Sequence, residues 1–125
     1  IRPVAEAAGR PTLLYFSGEY CAVCKLRQTP VVAELVARWG AEIAIHHYDV
    51  AQHPDLARHY KILSLPATVV LDRQGQVAHL NYGFTSLPQL EEQLHPGDEA
   101  HRSAGLALPV GLAPAQSRKG DALGK

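Results

Sequence analysis

Cys21 and Cys24 are the only cysteines in the chain, and they lie three positions apart in Tyr20-Cys21-Ala22-Val23-Cys24-Lys25. The thiolate is the nucleophile in disulfide chemistry, and an ordinary cysteine with a pKa of about 8.5 is only about 3% ionised at pH 7. A sulfur at the start of a helix meets unpaired N–H groups and a positive pole, and one brought to a pKa of roughly 7 is about half ionised. The i, i+3 spacing puts the second sulfur on the same helical face. The pair therefore suits a dithiol that exchanges with other disulfides, with Cys21 expected as the reachable nucleophile and Cys24, one turn on, as the more buried resolving thiol. A bond between them closes so short a loop that it stabilises little, so chemistry explains the pair better than architecture does.

That chemistry needs a strand that delivers Cys21 to a helix start. Thr12 to Ser17, with the apolar run Leu13-Leu14-Tyr15-Phe16, reads as a buried strand immediately before the dithiol. A helix is expected from about Cys21 to Trp39, with Leu35, Val36 and Trp39 sharing a face, Gly40 as its stop and a kink at the interior Pro30. Glu42 to Val50 reads as a second strand, and Pro54 to about Tyr60 as a short helix. Thr68 to Leu71 and Gln76 to Asn81, joined by the turn Asp72-Arg73-Gln74-Gly75, should form an antiparallel hairpin. Ser86 suits the cap of a last helix with Leu87, Leu90 and Leu94 as its apolar stripe. Strand and helix alternate and then give way to a hairpin, which predicts an α/β fold: a mixed β-sheet flanked by helices.

The chain has 125 residues, enough for one sizeable core, and twelve basic residues balance twelve acidic ones. Nothing in that balance steers it toward nucleic acid or an anionic bilayer, and no apolar run approaches the eighteen residues of a membrane span. The expected domain is 1–95, opening with Arg2 to Ala8 as a helix end, and 96–125 reads as a Gly/Ala/Pro-rich tail. In that tail Leu106, Leu108, Val110 and Leu112 alternate with small residues, a pattern that fits extended docking on a sheet edge or on a neighbouring copy. The first residue is Ile1 rather than Met, in keeping with a trimmed chain whose signal or anchor was removed.

Over roughly Pro11 to Leu94 these features together resemble the thioredoxin family. The strand, Cys-x-x-Cys and helix of Leu13 to Trp39 match its order, Pro30 its mid-helix proline, Gly75 and Gly83 its later glycines, and Pro66 in Ser64-Leu65-Pro66-Ala67-Thr68 its active-site cis-proline. The resemblance implies a thioredoxin-like fold, here with the first strand absent or shortened. It also implies a thiol-disulfide oxidoreductase with no cofactor beyond its redox-active disulfide. Its partners would be disulfide- or thiol-containing proteins and an upstream electron donor. Tyr20, Ala22, Val23, Leu65 and Pro66 would line the substrate site, where an extended segment can pair with the Leu65 backbone by strand addition. Three departures stand out: Tyr15 occupies the place of a buried carboxylate, Ala22-Val23 that of Gly-Pro, and Tyr20 that of tryptophan. The Pro-Ala-Thr-Val-Val-Leu-Asp-Arg-Gln-Gly stretch is similar to exported, membrane-anchored bacterial members, which implies a periplasmic in preference to a cytoplasmic location. No cation sits between the cysteines and Glu19 adds negative charge, so a reductant is expected.

Two other functions compete. The dithiol with some of the seven histidines could hold copper or zinc, but His46 and His47, adjacent on a strand, should face opposite ways, and no second Cys-x-x-Cys completes a cage. A redox-inactive binding module would not need both sulfurs. Asp49 and Asp55 read as turn or helix-start residues, and Trp39 and Tyr48 as packing residues.

Overall fold

A computed structural model describes residues 9–96. The expected helix over Arg2 to Ala8 and the tail from Gly97 onward, with its docking segment, lie outside the described residues. Within them the elements run β1 (Thr12–Ser17), a π-helical turn (Cys24–Gln28), α1 (Thr29–Trp39), β2 (Ala44–Asp49), α2 (Pro54–His59), β3 (Ala67–Leu71), β4 (Val77–Tyr82) and α3 (Leu87–Leu94). The four strands form one mixed sheet in the order β2-β1-β3-β4, with β1 parallel to β2, antiparallel to β3, and β3 antiparallel to β4. No helix among the described residues is long and apolar enough to cross a membrane.

Alternation along the central strands divides the core into two layers. Leu13, Tyr15 and Val70 face Cys24, Val32, Leu35, Leu90 and Leu94, so α1 and α3 cover one side. Leu14, Phe16, Val69 and Leu71 face Tyr60, with Leu56 and Ile62 packed around them, so the α2 region covers the other. A strand buried on both faces must be apolar throughout, which is why Leu13 to Phe16 reads as an unbroken run. Each of those four side chains has no exposed surface, and each contributes about 1.5–3 kcal/mol on burial. The result is a rigid platform directly beneath the dithiol.

The α1 stripe differs from the expected one. Leu35 is buried and Trp39 half-buried, but Val36 is 48% exposed; Val32 takes its place in the core. Positions 35 and 36 are about 100° apart around a helix, so they cannot both face the sheet, whereas 32, 35 and 39 can. The irregularity expected at Pro30 takes the form of the π-turn just before it, in which Thr29 N–H bonds the carbonyl of Cys24, five residues back. The helical backbone runs unbroken from Ala22 to Trp39, and Pro30, which has no N–H to donate, follows directly on that π-turn. The Asp72–Gly75 turn closes the hairpin: Asp72 Oδ1 accepts from the N–H groups of Gln74 and Gln76, and Gly75 supplies a φ of +85°.

Candidate functional site

The dithiol is a disulfide between Cys21 and Cys24, with Cα atoms 5.3 Å apart. β1 ends at Ser17; Cys21 N–H then bonds Gly18 O at 3.2 Å, and the chain turns into a helix whose first regular bond is Lys25 N–H to Cys21 O at 3.2 Å. Gly18 allows a close approach here, since a Cβ on it would lie 2.8 Å from Leu65 Cδ1. The two sulfurs are unequal. Cys24 is 1% exposed and belongs to the core, while Cys21 is only half-buried. Cys24 N–H donates to Cys21 Sγ at 3.1 Å, so the outer sulfur acts as cap for the helix it begins.

Beside Cys21 opens a cleft of about 480 Å³, walled by Gly18, Glu19 and Tyr20, by Asp49, Val50 and Ala51, and by Leu65. Tyr20 and Leu65, two of the expected substrate-binding residues, thus share one cleft with Cys21. Ala22 and Val23 are exposed on the helix start but do not line it, and Pro66 is buried. The Leu65-Pro66 peptide bond is cis, and Pro66 O accepts from Gly83 N–H at 2.8 Å. Tyr20, which walls the cleft, is 92% exposed and leaves its ring in water.

Beneath the dithiol, Tyr15 sends its hydroxyl to Cys24 O at 3.0 Å and lies 2.9 Å from Thr29 Oγ1. Burial raises the phenol above its ordinary pKa of 10.0, partly offset by the Thr29 hydrogen bond, so the group stays a protonated donor. His47 stacks on its ring, centroids 4.4 Å apart, and bonds Ser17 Oγ at 2.7 Å. Burial lowers His47 below its ordinary value of 6.5, with Asp49 pulling weakly the other way. Gln28, fully buried, ties the π-turn to the start of α3: its Nε2 donates to Thr85 O at 2.9 Å and its Oε1 accepts from Thr85 N–H at 2.8 Å. Arg27 lies over the Phe84 ring at 4.1 Å and fastens the same seam.

The sequence did not single out Thr29, Gln28, or the stacking role of His47. Each depends on a partner far away in the chain. His46 and His47 do face opposite ways, His46 stacking with Tyr48. Among the described residues no group of three or more His, Cys, Asp or Glu could hold a metal ion. Asp49 Oδ1 accepts from Ala51 N–H at 2.8 Å and Asp55 sits in the first turn of α2, as turn and helix-start residues do.

Residues 2–95 match a family model described as "TraF: F plasmid transfer operon protein". A thioredoxin-like protein of Synechocystis sp. is 32% identical over 85 residues, 68% of this chain and 79% of that protein. The thioredoxin of Bacillus subtilis is 31% identical over 88 residues, 70% of this chain and 83% of its own length. Among solved structures, thioredoxin-2, a component of malaria parasite protein secretion machinery, superposes with a TM-score of 0.64 at 23% identity, over 69% of this chain and 82% of that one.

Proposed function

Because this chain belongs to the thioredoxin-like family, we propose that it is a protein thiol-disulfide oxidoreductase working as a reductant through Cys21 and Cys24. The observation that carries this reading is the inequality of the two sulfurs: one half-exposed at a helix start beside a cleft, the other buried behind it and already bonded to it.

In the reduced protein the Cys21 thiolate attacks one sulfur of a partner disulfide. A Cys21–partner bond forms, and the partner's other sulfur leaves as a thiolate. Cys24, ionised in turn, attacks Cys21, closing the intramolecular bond and releasing the second partner sulfur. The partner gains two electrons and two protons, and an upstream dithiol donor restores Cys21 and Cys24. Leu65, which shares the cleft with Cys21, offers its backbone to an extended partner segment, and Tyr20 gives that segment an apolar wall. The similarity of Pro66 to Gly75 to exported bacterial members supports a periplasmic site of action.

Trapping tests the roles. With Cys24→Ser the resolving step is lost, so mixed disulfides should accumulate on Cys21 in the source cell, and their compartment reports the location. The unaltered protein should catalyse insulin reduction. Preferential alkylation of Cys24 over Cys21 in the reduced, folded protein would overturn the assignment.

A further inference from the structure

Cys24 is gripped at both of its backbone ends. Its N–H points at Cys21 Sγ, 3.1 Å away. Its carbonyl takes two donors: Thr29 N–H, through the π-turn, and the Tyr15 hydroxyl at 3.0 Å. A carbonyl oxygen has lone pairs for both. The phenol is itself held, by the Thr29 hydroxyl at 2.9 Å and by the His47 ring stacked nearly parallel to it at 13°. Tyr15 has one hydroxyl proton and gives it to Cys24, so Thr29 donates to the phenol oxygen.

We propose that Tyr15 is a positioning residue for the dithiol: by fixing the Cys24 carbonyl it aims the Cys24 N–H at the Cys21 sulfur and so sets how readily Cys21 ionises. The inference rests on the exchange reading above and adds the group that tunes it. On reduction, a thiolate at Cys21 accepts that N–H in a charge-assisted bond, which stabilises the ionised over the protonated form. Without the phenol hydroxyl the Cys24 carbonyl keeps only the Thr29 N–H, the φ and ψ that link that carbonyl to the Cys24 N–H are less restrained, the N–H is aimed less well, and Cys21 ionises less. A reduced form with a less stable thiolate is itself less stable relative to the disulfide. The variant equilibrium therefore lies further toward the Cys21–Cys24 bond.

The experiment compares the full chain with Tyr15→Phe, which removes the hydroxyl but keeps the ring on His47. Cys21 ionisation is followed by thiolate absorbance and by iodoacetamide alkylation near neutral pH. Redox balance is followed against glutathione, where two glutathione thiols lose two electrons and two protons to form one glutathione disulfide as the protein disulfide gains them. Loss of one hydrogen bond should slow alkylation by about three- to ten-fold and move the glutathione equilibrium constant by a similar factor toward protein disulfide. Thr29→Val, which removes only the phenol's orienting partner, should shift both in the same direction by less, and it serves alone if Tyr15→Phe does not fold. A folded Tyr15→Phe with Cys21 ionisation and glutathione equilibrium unchanged overturns the proposal. So does a Thr29→Val protein unchanged in both when Tyr15→Phe is unfolded. A chain that fails to reduce insulin would instead defeat the exchange reading, while the ionisation comparison at Cys21 would still stand.

Discussion

Two helix starts in this molecule are built on the same plan and used differently. At α3, Ser86 Oγ accepts from Gln89 N–H at 3.3 Å and the Gln89 side chain returns a bond to the Ser86 backbone, a reciprocal cap with every atom committed to structure. At the other start, Cys21 Sγ accepts from Cys24 N–H over the same three-residue interval. There the capping atom is also the one proposed to react. A hydroxyl cap gives a helix that holds; a sulfur cap gives one whose donors are kept for an anion. The two starts are not independent, since Gln28 from one reaches Thr85 just before the other.

Cutting that strut should have the largest effect. Gln28→Leu keeps the volume but leaves the buried N–H and carbonyl of Thr85 without partners, and we expect a loss of about 2–4 kcal/mol, read from urea unfolding. A loss under about 0.5 kcal/mol would mean that the two starts are held by packing alone. Ser86→Ala comes next, at about 1 kcal/mol, or roughly 4–8 °C in Tm, with the rate of Cys21 alkylation unchanged. A change in that rate would erase the distinction between a structural and a chemical cap. The smallest effect belongs to His47, which underlies only the dithiol end. Its folded pKa lies below the unfolded one, so the unfolded chain binds the proton first; its contribution is complete above about pH 6.5 and is lost as pH falls from there toward the folded value. His47→Gln should therefore show a shallower decline of Tm between pH 7.5 and 5.5 than the unaltered protein.

How much of this was legible in the sequence varied with the range of the contacts. β1 was read with its observed bounds, because a strand covered on both sides writes its burial into every residue. Ser86 and the Asp72–Gly75 turn were legible because caps and tight turns close over a few residues. Val36 was misplaced because neighbouring apolar residues on a helix differ by a third of a turn, and only the observed face decides between them. The dithiol was legible as a motif, yet the residues under it were not. Gln28 looks like any exposed helix glutamine until Thr85 arrives from 57 positions away, and Tyr15 meets His47 only through the parallel register of β1 and β2. Nor does apolar periodicity separate a π-turn from an α-turn, since only the hydrogen-bond partner of one carbonyl distinguishes them.

The strand order carries a further consequence in time. β1, which delivers the cysteines, is hydrogen-bonded on one side to β2 and on the other to β3, both of which follow it in the chain. In vectorial synthesis Cys21 and Cys24 emerge long before Leu71, and loop closure makes such distant pairings late events. Until then the sheet that holds Tyr15 beneath Cys24 is incomplete. The nascent chain thus exposes its two thiols before the platform that orders them is complete, and the hairpin is among the last pieces to close it.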